Sequence, residues 1–256
     1  MTNRRRKDRS AGGRGMLPYF CAVFLFLAVG IANLPALSGA SPDAPEGVIG
    51  VARAATGEIF LPEPEIEGDL SVEEAIAGRR SVRSFTGGSI GLGDLSQLLW
   101  AAQGITGEDG FKRAAPSAGA KYPLEVFAVV GTVDGLDAGI YRYVPKTHAL
   151  LPVGGGDVRE TLCGEALYQD WIEDAAVVLV ITAVYERTME KYGSRGVRYV
   201  HMEVGAAAEN VYLEAESLGL GTTFVGAFSD DGVEKVLGVE DVKALALLPV
   251  GVPSGS

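Results

Sequence analysis

The run AAVVLVI at positions 175–181 presents no polar side chain to either of its alternating faces. Successive strand residues point to opposite sides of a sheet, so such a run has to lie mid-sheet with packed elements above and below. Helical periodicity supplies those elements. Ser71 to Glu74 has capping-box spacing and predicts a short helix running to Gly78, and Asp94 reads as the cap of a second helix with Leu95, Leu98, Leu99 and Ala102 on one face. The longest helix is predicted over 200–218: Val200, Val204, Ala207, Val211, Ala215 and Leu218 recur at steps of three and four before Gly219 breaks the pattern. Strands are predicted at 125–130, 140–144, 175–184, 222–228 and 244–250. Helical stretches separate most of them, which points to a layered α+β or α/β domain and away from sandwiches and barrels.

The N-terminal region has a different character. Arg4, Arg5, Arg6, Lys7, Arg9 and Arg14 precede an uncharged stretch from Met16 to Pro42 whose densest apolar part is Cys21 to Ala32. That part has the length of a signal-peptide core, while the full span is long enough for a transmembrane helix, and both readings stay open. Ser38, Gly39 and Ala40 offer the small residues a signal peptidase needs, and Ala52, Arg53 and Ala54 a weaker second choice. Flanking cations should stay inside, leaving the protein secreted, periplasmic or anchored with its domain facing outward. Residues 1–40 are thus expected to be a signal peptide or anchor, 41–69 a Pro-, Gly- and Glu-rich linker, and 70–256 the folded domain.

Charge and side-chain chemistry narrow the partners. The chain holds 22 basic and 33 acidic residues; removing the six basic and one acidic before position 41 leaves 16 against 32, a balance of -16. Nucleic acid is an unsuitable partner for such a surface. Cys163 is the only cysteine beyond the leader, His148 and His201 are the only histidines, and no HExxH or CxxC pattern occurs, so no metal site is expected.

Five segments can carry chemistry. In RRSVRSF, Arg79, Arg80 and Arg83 bracket Ser81 and could clamp an anion, although a solvated basic turn looks the same in sequence. Pro116, Ser117, Ala118 and Gly119 form a small-residue loop that lets backbone amides approach a flat ligand, or simply connects two elements. The glycine-rich stretch from Gly219 to Phe228 follows a helix and precedes a strand, the reverse of the dinucleotide-binding order, so a Rossmann site is rejected. Lys191 and Tyr192 fall in a charged stretch, 186–198, expected to be irregular. LPVG at 248–251 closes the core.

In this order RRSVRSF, PSAGAKYPLEVF, KYGSRGVRYVHMEVGAAAENVYLEAESLGLGTTFVGAF and LPVG resemble the nitroreductase-like FMN-dependent superfamily, specifically its SagB-type branch of thiazoline and oxazoline dehydrogenases. The resemblance implies a three-layer α/β/α sandwich and an intertwined homodimer with one FMN at each edge of the interface. It implies that Arg79, Arg80 and Ser81 contact the FMN phosphate and ribityl chain, that Arg83 lies near the N1/C2 edge of the flavin, and that Val225 and Gly226 bring a backbone N–H to flavin N5. It further implies that Pro116, Ser117, Ala118 and Gly119 arrive from the partner subunit, that Lys191 and Tyr192 are the catalytic pair, and that Ala206 to Ala208 let the long helix approach its partner closely. The chain departs from the pattern after LPVG, where Val252 to Ser256 lacks the basic phosphate-binding residue that many members have. Two functions follow as expectations. One is an oxidoreductase passing hydride between a small redox substrate and FMN, with NAD(P)H or an azoline ring as donor; the other is a flavin-binding or structural dimer without turnover.

Overall fold

A computed structural model describes residues 57–108 and 110–255; the N-terminal basic and apolar segment lies outside them. The chain builds one antiparallel seven-stranded sheet. Its strands are β1 (Ile59–Phe60), β2 (Leu124–Val130), β3 (Gly139–Val144), β4 (Ala149–Gly155), β5 (Val177–Ala183), β6 (Gly221–Thr222) and β7 (Lys243–Gly251), in the order β1-β4-β3-β2-β5-β7-β6. The apolar run at 175–181 supplies β5, buried at every position between β2 and β7.

Strand alternation sorts the core into two layers. Val126, Ala128, Leu179, Ile181 and Leu248 point to one face, where they meet Leu95, Leu98 and Leu99 of α2 (Leu92–Gln103) and Val200, Ala207 and Val211 of α6 (Arg195–Ser217). Phe127, Val129, Val178, Val180 and Leu247 point to the other. There they meet Leu162 of α3 (Arg159–Glu165), Ile172 of α4 (Trp171–Asp174), and Val233 and Leu237 of α7 (Asp230–Leu237). Each fully buried Leu or Ile contributes roughly 1.5–3 kcal/mol, and the one polar side chain of β5, Thr182, is accommodated by donating to Glu125 O at 3.1 Å.

Helix α1 (Val72–Gly78) has the expected capping box: Ser71 Oγ accepts from the Glu74 N–H at 3.2 Å and Glu74 accepts from the Ser71 N–H at 2.9 Å. Four expectations are corrected. Asp94 is the third residue of α2 rather than its cap; its carboxylate accepts from the Gly91 N–H at 2.9 Å, half of a capping box whose cap position has no side chain. Residues 186–198 are not irregular, because α5 (Tyr185–Tyr192) occupies most of them before α6 begins. The strand expected over 222–228 shrinks to β6. The pairs Gly221↔Gly251, Thr222↔Val250 and Val225↔Leu247 share one register, but the Phe224 N–H leaves the ladder to donate to Tyr212 Oη at 2.7 Å. The second half of the spacer also joins the fold. Ile59 and Phe60 pair with β4, Ser96 Oγ donates to Pro62 O at 2.6 Å, and Gln97 exchanges hydrogen bonds with the Glu65 backbone.

Candidate functional site

The nominated residues form two groups on α6. The first gathers around Tyr212. Its hydroxyl bonds Ser81 Oγ at 3.0 Å and accepts the Phe224 N–H, while the Arg79 guanidinium stands 5.4 Å from its ring centroid and reaches Glu209 at 3.5 Å. Ser81 lies there because it bridges to Thr222 in β6 as α1 ends. Arg80 Nη1 donates to the Ala77, Gly78 and Arg79 carbonyls, so that nitrogen closes the C-terminus of α1. Arg83 extends over the Trp171 ring at 5.9 Å. Val225 returns to β7, and the N–H of the next residue, Gly226, has no partner among the described residues. Where the family pattern calls for a base after LPVG, Ser254 instead bonds Ser84, hydroxyl to hydroxyl at 2.5 Å and N–H to carbonyl at 3.1 Å.

The second group gathers around the loop 116–122. Gly119, Ala120 and Tyr122 all take left-handed φ, at 61°, 52° and 46°, a concentration of strain that ordinary connectors avoid. The loop is tied down at several points. Ser117 Oγ accepts the Tyr122 N–H at 2.9 Å, Arg187 of α5 donates to Tyr122 O at 3.1 Å, and Lys121 pairs with Glu190 at 2.8 Å. Arg113 stacks over Tyr122 at 4.7 Å. A Cβ on Gly119 would lie 2.7 Å from Tyr192 Oη and 2.9 Å from Lys191 Nζ, so the bare loop backbone and this polar pair share one surface. Pro116 and Ala118 flank it, exposed and half-buried.

Sequence reasoning missed Glu203, which is 3 % exposed on α6 behind Ser117. Burial raises its carboxyl to about 7, against the opposing pull of the Ser117 hydroxyl and the Arg113 guanidinium. Neither oxygen has a hydrogen-bond partner among the described residues. The only available hint was an acid at a position that the periodicity of α6 leaves beside Val204 and Ala207. Of the three alanines assigned to close helix approach, Ala207 and Ala208 face the chain's own core; the outward surface there carries Met202, Gly205 and Glu209.

The two groups are far apart within one chain. Glu203 and Tyr212 are nine residues apart on α6, about 13.5 Å along the axis and half a turn around it. A surface cavity of about 570 Å³ lies against Glu63, Trp100, Ile105, Lys146 and His148 and touches neither group. Its His148 serves the fold, linking Ser96, Tyr143 and Pro62 O, and burial lowers its pKa. A second cavity, about 460 Å³, is lined by Ser194, Arg195, Arg198 and His201 and begins two residues beyond Tyr192.

The nitroreductase family model matches residues 76–252, which take in both groups. The chain belongs to the nitroreductase family. It is 46 % identical over 196 residues to a Methanocaldococcus jannaschii protein named for the nitroreductases, covering 77 % of this chain and 96 % of that one. A crystal structure of a Ralstonia eutropha protein, also named for the nitroreductases, superposes with a TM-score of 0.69 at 28 % identity over 82 % of this chain and 97 % of its own. The microcin B17-processing protein McbC of Escherichia coli is 29 % identical over 140 residues, half of this chain and 49 % of McbC. Matches of this kind place the chain in the SagB-type branch of the nitroreductase-like superfamily.

Proposed function

We propose that the protein is a homodimeric FMN-dependent oxidoreductase, with each site built from the Tyr212 group of one chain and the Gly119 group of its partner. The observation that carries this reading is the juxtaposition at Gly119, where the absence of a side chain leaves Lys191 Nζ and Tyr192 Oη beside exposed loop backbone. A planar ligand fits such a surface, and any Cβ would obstruct it.

The residues present suit FMN. Arg79 and Ser81, with the remaining nitrogens of Arg80, offer donors for a phosphate and polyol. Arg83 offers a cation for the pyrimidine edge, and the Gly226 N–H a donor for N5. Ser254 replaces a cation on the phosphate side, so affinity depends more heavily on Arg79. When bound, FMN supplies a two-electron centre that accepts or donates hydride at N5.

The chain's own work is then to position and to manage protons. Arg83 favours negative charge at the edge it faces. Lys191 and Tyr192 hold or move the proton that accompanies hydride transfer at the substrate atom, and their place beside the loop fixes the direction of approach. The substrate is a small redox-active molecule, with NAD(P)H as the electron donor in the reductive direction. An apolar, cation-flanked leader also supports placing the domain on the outer side of a membrane, which protease treatment of cells stripped of any outer envelope tests: survival of a cell-associated domain refutes it.

Purification of the full chain tests the main reading. A yellow dimer whose 450 nm band (roughly the flavin maximum) bleaches with NADH, NADPH or an azoline-containing peptide supports the enzyme. Bound flavin that no donor reduces supports the non-turnover dimer, and a colourless monomer that ignores added FMN refutes both.

A further inference from the structure

We propose that Glu203 is the positioning acid of the 116–122 loop: its neutral carboxyl, buried behind Ser117, keeps Gly119 seated against Lys191 and Tyr192, and its ionised form unseats them.

The geometry supports this in three ways. Glu203 is buried and neither carboxyl oxygen completes a hydrogen bond among the described residues, so a full charge there is offset only in part, by the nearby Ser117 hydroxyl and the Arg113 guanidinium. Its cover is the 116–122 loop, in which the non-glycine residues Ala120 and Tyr122 are held in left-handed backbone. The cover also adjoins the polar pair, because Tyr192 Oη and Lys191 Nζ lie within 2.9 Å of where a Gly119 Cβ would stand. Ionisation can therefore be relieved most cheaply by letting water in past the loop, and that displaces the surface on which the pair sits.

Other groups around Glu203 do not supply the same switch. Arg113 precedes the loop and is partly engaged by Gln103 Oε1 at 3.2 Å. Glu125 of β2 is paired with Arg187 of α5 at 2.6 Å. Tyr122 lies in the loop, Tyr143 on β3 is pushed up by burial, Lys191 and Tyr192 flank Gly119, and Tyr199 stands one turn earlier on α6 against Tyr192. The arginines stay cationic throughout. His201, two positions earlier on α6, is exposed and bonded to Tyr185 Oη.

Hydrogen exchange on the full-length chain as purified provides the test, whether or not it carries flavin. The reporters are the Ala120 N–H, which donates to Ser117 O, and the Tyr122 N–H, which donates to Ser117 Oγ. After correction for intrinsic exchange, their protection should fall at least about tenfold between about pH 5 and pH 7.5. Glu203→Gln should keep the low-pH protection across the range, and Glu203→Ala should be weakly protected throughout. His201→Asn should follow the wild type. An infrared difference between wild type and Glu203→Gln at low pH should show one protonated carboxyl band that disappears as pH rises. Flat protection in the wild type, a Gln variant that still titrates, or absence of that band overturns the assignment. If exchange behaves as expected but no flavin binds, the redox reading fails and the role of Glu203 in seating the loop stands.

Discussion

The two ends of α6 solve opposite problems with opposite materials. Around the buried Tyr212 the flanking arginines and Ser81 are exposed or half-exposed and the polar groups are held by short hydrogen bonds: Ser81 and Phe224 on the tyrosine hydroxyl, Arg80 on the last carbonyls of α1. Around Glu203 a buried, incompletely paired acid lies behind a loop with left-handed backbone whose outer surface is exposed. A surface assembled like the first recognises charge, and donors already held by structure cost little to reorganise when an anion arrives. A surface assembled like the second holds geometry under tension, which sites that steer protons use and which simple connectors lack. Since about two and a half turns of helix separate them and set them on opposite faces, the comparison predicts two halves of a composite site rather than two sites.

The strongest way to break that comparison is to damage one half in each of two chains. Gly119→Val forces a β-branched residue into left-handed φ and drives a Cβ toward Tyr192 Oη and Lys191 Nζ, so turnover should fall at least about a hundredfold. Mixing separately tagged Gly119→Val and Arg79→Ala chains should restore about a quarter of wild-type activity, because statistical heterodimers then contain one site with both halves intact. No recovery on mixing means that each chain builds its own site and overturns the composite reading.

A smaller effect separates the arginines. Arg79→Ala should weaken FMN binding by about 2 kcal/mol, the loss of one charge-assisted contact, as read by flavin fluorescence titration. Arg80→Ala should cost FMN less and stability more, by under about 1 kcal/mol, because part of its guanidinium caps α1. If the two variants are indistinguishable in both measurements, the division of labour drawn from their hydrogen bonds is wrong. Next comes Tyr212→Phe, which removes the acceptor of the Phe224 N–H and the partner of Ser81. It should lower unfolding free energy by about 1–2 kcal/mol in urea, and an unchanged midpoint would mean that water replaces the hydroxyl freely.

The sequence disclosed the first half better than the second for physical reasons. A guanidinium cluster and a glycine-rich turn are local in the chain, and the two-sided apolar run at 175–181 dictates a covered sheet wherever it occurs. The helix of α1 was legible because Ser71 and Glu74 cap it three residues apart. Other features depend on distant partners. Residues 59–65 look like a linker until Ser96 and Gln97, more than thirty positions away, supply their hydrogen bonds. The strand at 222–228 was truncated by a hydroxyl on another element, and the charged stretch at 186–198 folds into α5 because that helix packs on α6, with Thr188 buried. Glu203 was the least legible. Its spacing from Val200 and Ala207 puts it on the apolar side of the helix, but an acid there also suits the edge of that face, and only the tertiary placement of Ser117 and Arg113 reveals it as buried.

The smallest predicted effect discriminates most sharply between the halves, because it separates Glu203 from the exposed acids. A carboxyl whose pKa is raised in the folded state binds more protons folded than unfolded between its ordinary 4.5 and about 7. Stability therefore falls as pH rises through that window and is constant on either side. Asp157, which Arg159 holds below its ordinary value, works in the opposite sense, contributing stability that is lost as pH falls; His148, lowered by burial, also destabilises on the acidic side. Glu214, raised by burial, adds to the slope from Glu203. The wild-type curve mixes these opposing terms, so the informative quantity is the difference from Glu203→Gln. That difference should favour the wild type at about pH 5 and shift against it by about 1 kcal/mol by pH 7.5, a full linkage effect reduced for screening by water and by Arg113. Urea unfolding at four or five pH values measures it. A difference that does not change with pH would show that Glu203 is as well solvated as the carboxylates around Arg79, and the contrast between the two ends of α6 would then be one of charge alone.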